Sequence, residues 1–280
     1  MSQSVLITGC SSGIGLCLAE GLAAQGWRVF ATTRKPGDVE MLKGKGLESL
    51  QLDLDDSASI QHAVEEILHR TGGTLDALIN NAAYGQAGAV EDLRREVLRA
   101  QFETNLFGTV ELTNRVIPVM RAQRHGRIVQ ISSLLGLVAL PYRGAYTASK
   151  FALEGLTDTL RLELTNTGIH VSLIEPGPIK SRFRANSLAT FKSSIDIEHS
   201  PHRAHYEGVL RRLEKIGPAA PFTLPPTAVL KRVLHALEHP RPRRRYYVTI
   251  PTYLFAGARR LLPNSLLDWL LQRISKNENS

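Results

Sequence analysis

Thr8-Gly9-Cys10-Ser11-Ser12-Gly13-Ile14-Gly15 stands between an apolar run at Ser4 to Thr8 and a stretch of helical period near 14 to 25. A glycine-spaced turn leading from a buried strand into a helix N-terminus is the device by which doubly wound α/β sheets hold a dinucleotide. Gly9 permits the tight turn, Gly13 lets backbone approach a pyrophosphate, and Gly15 allows the helix to pack closely. The helix start offers unpaired N–H groups to phosphate. Glycines alone also serve merely to join strand to helix, so it is the position in a first βαβ unit that favours a nucleotide.

Outward from this turn, Val- and Ile-rich runs alternate with helical patterns, as expected of parallel strands buried under helices on both faces. Strands are expected at Ser4 to Thr8, Arg28 to Thr33, Leu47 to Asp53, Ala77 to Asn80, Arg127 to Ser132, His170 to Glu175 and Tyr246 to Ile250. Helical patterns lie near 14 to 25, 57 to 71, 91 to 121, 144 to 167 and 227 to 238, with Gly26, Gly72, Gly126 and Gly168 as stop signals. The fold class is a Rossmann-type, doubly wound α/β domain with a seven-stranded parallel sheet. No repeat or Gly/Ser linker interrupts residues 1–280, which read as one domain. The stretch from about 180 to 226 carries Pro201, Pro218, Pro221, Pro225 and Pro226 and reads as an insertion after the sixth strand, with a C-terminal tail at about 251–280. Together these are expected to form a mobile lid over an apolar cleft at the strand carboxyl ends.

With 43% hydrophobic and 21% charged residues, disorder and a disulfide-stapled miniprotein are excluded. The 34 basic and 26 acidic side chains leave a net +8, all of it beyond residue 150, which argues against a chain built throughout to coat nucleic acid. Cys10 and Cys17 both lie in the segment where the glycine turn enters the helix and read as reduced thiols. No leader or apolar run of about 18 residues is present, so a cytoplasmic protein is expected.

Four motifs in order carry a family resemblance: the TGxxxGxG turn, Asn80-Asn81-Ala82-Ala83, Tyr146-Thr147-Ala148-Ser149-Lys150 and Pro176-Gly177. The chain resembles the short-chain dehydrogenase/reductase family, of its classical type, and within it the branch of estradiol 17β-dehydrogenases and retinol dehydrogenases. Ala83 departs from the glycine usual there. The resemblance implies that Gly9, Ser11, Ser12, Gly13, Ile14, Asn81 and Ala82 line a nicotinamide dinucleotide, with Asp53 and Leu54 flanking its adenine. It implies that Pro176, Gly177, Ile179 and Ser181 wall the nicotinamide, Ser181 standing where the family usually has Thr.

An NAD site expects a carboxylate near the end of the second strand. Here Ala31-Thr32-Thr33-Arg34-Lys35 has none before Asp38, and Arg34 can pair with a 2′-phosphate that a carboxylate would repel. NADP(H) is therefore expected, and the resemblance implies that Ser12 adds a hydroxyl to the 2′-phosphate; as a plain loop, Arg34 and Lys35 would only be solvated.

Tyr146 and Lys150 lie one helical turn apart on one face. An ammonium so close is expected to draw the phenol's pKa down and make it a usable acid or base. Ser133 ends a buried strand thirteen residues earlier, and by resemblance it holds the substrate oxygen, while Asn105 kinks a helix and links Lys150 to water. The expected activity is NADP(H)-dependent hydride transfer to or from an apolar aldehyde, ketone or alcohol, retinoid- or steroid-like, with Tyr146 as general acid. The alternative is a non-catalytic NADP-binding regulator on the same fold.

Leu135, Val138, Leu140, Tyr142, Phe183, Leu188 and Phe191 are the expected cleft lining. His199, His202 and His205 have helix-face spacing but no thiolate or carboxylate in the run, and no metal is expected. Arg241 to Arg245 reads as a solvated loop. The tail's leucines beside Arg259, Arg260 and Arg273 read as packing over the substrate mouth or against a second subunit of a homodimer or homotetramer. Weak contact with an anionic membrane surface is the second reading, and nucleic acid is not an expected partner.

Overall fold

The computed structural model describes residues 2–218 and 220–279. Its strands are β1 (Ser4–Ile7), β2 (Arg28–Thr33), β3 (Glu48–Gln51), β4 (Ala77–Asn80), β5 (Gly126–Ile131), β6 (Ile169–Glu175) and β7 (Arg245–Tyr247). All seven run parallel in the order β3-β2-β1-β4-β5-β6-β7. The helices are α1 (Gly13–Ala24), α2 (Pro36–Lys43), α3 (Ser57–Thr71), α4 (Arg95–Phe102), α5 (Gly108–Gln123), α6 (Gly144–Glu163), α7 (Phe183–Ser194), α8 (Arg203–Glu214), α9 (Thr227–Glu238), α10 (Ile250–Leu261) and α11 (Asn264–Asn279).

Strand alternation sorts side chains into two layers. Val5, Ile7, Val29 and Ala31 meet Leu18 and Leu22 of α1 and Val229 and Val233 of α9 on one face. Leu6, Phe30, Leu78 and Ile128 meet Ile60 and Ile67 of α3 and Leu112 and Val116 of α5 on the other. Both strand faces are buried, which is why these segments read as unbroken apolar runs. The order reverses at β1, whose neighbours are β2 and β4, and opens a crevice beyond their carboxyl ends.

Four local expectations are corrected. Helix α2 was not among the expected helices; Pro36 opens it, since proline has a fitting φ and no N–H to waste in a first turn. The pattern at 91–121 is a 3₁₀ turn at Val90–Asp92, then α4, a π-helical turn at Glu103–Phe107, and α5. Gly126 starts β5 instead of ending a helix, and Arg124 takes the left-handed position at φ 58°. The last strand stops at Tyr247, and the tail beyond it forms α10, with Pro251 in its first turn, and α11.

Helices α7 and α8 follow β6. Phe191 and Tyr206 are fully buried among Ala87, Leu93, Val97 and Ala145, and Ala89 N donates to the Tyr206 hydroxyl at 3.0 Å. Tyr206 also donates to Asp92, and Ser200 Oγ does so at 2.6 Å, tying the insertion to the turn at Val90–Asp92.

Candidate active site

The glycine turn is held by its neighbours' backbone. Cys10 N donates to Thr32 O at 2.9 Å, and Thr8 Oγ1 accepts from the amides of Asn81 and Ala82, both at 3.0 Å. Asn81 Nδ2 donates to the carbonyls of Thr8 at 2.9 Å and Gly9 at 3.1 Å. Gly9 has φ 72°, and a Cβ on it would lie 2.8 Å from Ala82 Cα; Gly13 has φ 59°, and a Cβ there would lie 2.9 Å from Ser181 Cβ. Side chains at either position would be strained and would fill the turn. A Cβ on Gly15 would come within 2.6 Å of Asn81 Nδ2, so its bareness lets α1 approach the β4 loop. Ile14 leans into the core beneath. Ser12 caps α1 without a side-chain bond, Ser11 precedes it, and the first turn holds no acid. The result is a cradle of backbone N–H groups with a positive dipole end, which fits a dinucleotide phosphate.

At the rim of the cradle, Arg34 is exposed just beyond β2, its carbonyl accepting from Gln51 Nε2 at 3.1 Å. Asp38 has moved into the first turn of α2. Asp53 accepts from its own loop at Asp55 N, 3.1 Å, and the buried Leu54 presses its backbone against Gly108. Tyr84, after Asn81 and Ala82, went unassigned in the sequence: burial and the Asp55 charge push its phenol up to about 12, opposed by Arg34. Cys10 and Cys17 are unbridged, and burial pushes the Cys10 thiol up to about 12.

A second set of groups gathers where β5 and β6 end. Leu134 N donates to Pro176 O at 2.8 Å, joining the two loops, and Gly177 faces Thr249 closely enough that a Cβ would clash. Ile179 bridges to Leu224, and Ser181 lies over the glycine turn. The two serines after β5 diverge: Ser132 Oγ is buried on the Glu154 side without a hydrogen-bond partner among the described residues, whereas Ser133 bonds the Tyr146 hydroxyl and accepts from Leu135 N at 3.1 Å.

Lys150 Nζ donates to Ile131 O at 2.8 Å and stands 5.8 Å from the Tyr146 ring centroid. The expected fall in the phenol's pKa is reversed. Burial pushes Tyr146 up to about 12, with the Ser133 bond pulling the other way, and burial drives Lys150 down to about 8, with Glu154 opposing. The ammonium faces the ring and a carbonyl, so desolvation outweighs its pull on the hydroxyl. Asn105 sits in the π-helical turn, holding Tyr84 O at 2.9 Å and Ser149 Oγ at 3.1 Å through Nδ2, while its Oδ1 accepts from Tyr84 N at 3.1 Å. It thus reaches the tyrosine helix through Ser149, one residue from Lys150.

Behind Lys150 lies a buried cluster that sequence reading missed. Arg245 of β7 donates through Nη1 to Glu154 and to Glu175 Oε1 (2.5 Å), and through Nη2 to Asp158 Oδ2 at 2.6 Å. Burial together with the neighbouring Glu154 pushes Glu175 up to about 8 despite Arg245. Lys150, Glu154 and Asp158 recur every four residues on one helix face, and that spacing was the available signal.

The expected lining divides. Phe183 does stand at the site, its ring 5.2 Å from that of Tyr146 and packed against Gly85. Phe191 and Leu188 belong instead to the core between α7 and α8, and Tyr142 packs edge-on against His202 and Tyr206. Leu135, Val138 and Leu140 are covered by Leu267 and Leu271 of α11, with Tyr146 and Phe255 packed against them. His199 pairs with Asp196 at 2.9 Å and His202 with Glu91, so the histidine run points to separate carboxylates.

The family model described as short chain dehydrogenase matches residues 3–191, spanning the glycine turn, Asn105, Ser133, Tyr146 and Lys150. The chain belongs to the short-chain dehydrogenase family. It is 43% identical over 272 residues to the uncharacterized oxidoreductase YbbO of Escherichia coli (strain K12), covering 97% of this chain and 95% of that one. The NADPH-dependent 3-dehydrocapnine reductase of Ornithobacterium rhinotracheale is 34% identical, with 94% of each chain covered. Human 17-beta-hydroxysteroid dehydrogenase type 1 is 36% identical over 88% of this chain and 77% of its own. Among solved structures, a short-chain dehydrogenase from Streptomyces avermitilis superposes with a TM-score of 0.79 at 28% identity, covering 98% and 97% of the two chains. A short chain dehydrogenase/reductase from Burkholderia phymatum in complex with NAD gives 0.77 at 26%, covering 97% and 95%.

Proposed function

We propose that this short-chain dehydrogenase is an NADPH-dependent reductase of apolar carbonyl compounds, operating reversibly on the matching alcohols. The observation that carries the reading is the meeting of Ser133, Tyr146 and Lys150 beside a glycine cradle whose rim bears Arg34 and no acid at the end of β2. Bound there, the dinucleotide supplies hydride to the carbonyl carbon. Gly9, Ser11, Ser12, Gly13 and Ile14 would hold its pyrophosphate on the α1 dipole, Arg34 its 2′-phosphate, and Asp53 and Leu54 its adenine. Asn81, Ala82, Pro176, Gly177, Ile179 and Ser181 would line the path to the nicotinamide.

The Ser133 hydroxyl and Tyr146 orient and polarise the carbonyl oxygen, and Tyr146 delivers the proton. Its raised pKa keeps the phenol protonated at neutral pH, as an acid for reduction requires. Lys150 and Asn105, joined through the helix carrying Ser149, restore that proton. An apolar substrate is favoured by the carbon that packs against Tyr146 beside Ser133 and Lys150, which comes from Phe183, Leu135, Val138 and Leu140. The curated relative that is named an NADPH-dependent reductase, and the one named a steroid dehydrogenase, support the same choice.

A homodimer or homotetramer is part of the proposal. The apolar groove formed by Leu106, Phe107, Val110 and Leu156 is edged by Glu111 and Arg115, which pair with each other at 2.8 Å, so a second copy would meet apolar surface with no net charge. A turnover screen of aliphatic and aromatic aldehydes, retinal and ketosteroids with NADPH tests the reading; oxidation of NADPH by long apolar carbonyls is expected. Binding of NADPH with no turnover of any carbonyl would instead favour the regulator.

A further inference from the structure

Helices α10 and α11 have two faces. The inner one, Phe255, Ala258, Leu262, Leu267 and Leu271, packs on the loop after Ser133 and on Tyr146. The outer one carries Ile250, Tyr253, Leu254 and Leu261 at helical spacing on α10, and Leu266 and Trp269 on α11. Leu254 is 65% exposed, Leu261 83% and Trp269 54%. Arg260, Arg273 and Lys276 are exposed on the same two helices, and Arg273 lies 5.4 Å over the Trp269 ring.

From Ile250 to Lys276 the chain has Arg259, Arg260, Arg273 and Lys276 against the single acid Asp268. Arg259 is spent inward, bonding Leu137 O and stacking on Phe151. An apolar stripe with an indole at its edge and cations alongside is the surface that lies in a bilayer interface: the aliphatic groups enter the acyl boundary and the guanidinium groups reach lipid phosphate. A second copy related by a two-fold axis would set these cations against one another. Among the described residues no helix is long and apolar enough to cross a membrane, so contact is in the plane of the interface.

We propose that the outer face of α10 and α11 docks on anionic lipid bilayers. Docking leaves Tyr146 about one helix diameter, roughly 10 Å, from lipid. The proposal is independent of which carbonyl is reduced, because binding is measured without substrate.

The test is co-sedimentation of the full chain with vesicles of phosphatidylcholine alone or mixed with phosphatidylglycerol, together with tryptophan emission. Trp27 is buried, so a shift on vesicle addition reports Trp269. Binding to the mixed vesicles only, with a blue shift, is expected. R260A with R273A should weaken it about twenty-fivefold, at roughly fivefold for each cation, and L254D with L261D by at least about tenfold, with circular dichroism unchanged since all four sites are exposed. No binding at low salt, equal binding to neutral vesicles, or a dimer in solution that the aspartate variants dissociate would overturn the proposal.

Discussion

The glycine turn after β1 and the apolar cover around Tyr146 are built by different means. The first is shaped by backbone: Gly9, Gly13 and Gly15 are bare because Ala82, Ser181 and Asn81 occupy the space a Cβ would need. The second is shaped by side chains from three separate elements, with Phe183 from α7, Leu135 and Val138 from the β5 loop, and Leu267 from α11. A backbone cradle tolerates few substitutions and leaves a sequence signature. A cover of interchangeable apolar groups sets which carbon skeleton enters and leaves almost none.

The sharpest way to separate the two regions is Tyr146→Phe, which removes the proton donor without touching the cradle. Reduction should fall at least ~100-fold while NADPH affinity, read by fluorescence titration, stays within a factor of about two. Loss of both together would mean that the two regions are not separable.

Next in size is Arg34→Asp, which acts on the cradle alone. Exchanging a charge-assisted pair for repulsion should cost about 2 kcal/mol or more, roughly thirtyfold in kcat/KM for NADPH, with NADH spared. Equal losses with both cofactors would leave Arg34 a solvated loop residue.

Phe183→Ala acts on the cover alone and should erode discrimination among straight-chain aldehydes by on the order of tenfold, leaving short aldehydes little changed. An unchanged chain-length series in the variant would remove Phe183 from the lining.

The cluster behind Lys150 lies outside both regions and bears on stability instead of turnover. Glu175 is raised to about 8 from an ordinary 4.5 by burial and Glu154, with Asp158 adding to the rise and Arg245 opposing it. A folded-state pKa above the unfolded one contributes stability at low pH that is lost as pH climbs through the folded value. Melting temperature should therefore decline between about pH 4.5 and 8 from this group, and Glu175→Gln should flatten that decline. An identical slope in the variant would show that Glu175 ionises normally.

The same contrast explains what the sequence disclosed. The seven parallel strands, the glycine turn and the adjacency of Ser133 to Tyr146 were legible because each depends on local period or on a fixed chain position. Helix α2, eight residues opening on Pro36, showed no helical pattern of its own, and the π-helical turn around Asn105 lay inside a continuous one. Phe191 and Leu188 were assigned to a cleft because they follow β6, whereas contacts with Tyr206 on a helix further along the chain decide their place. The Arg245 cluster draws carboxylates from α6 and β6 onto a residue in a charge block, and only folding makes that a unit.

The most direct measurement of the central claim is wild-type kcat/KM over straight-chain aldehydes of increasing length, taken with NADPH and with NADH. The account predicts efficiency that climbs with chain length until the cover is full, at ~25 cal/mol for each Å² of carbon removed from water, and a preference for NADPH at every length. A flat series, a preference for short polar aldehydes, or better use of NADH would contradict it.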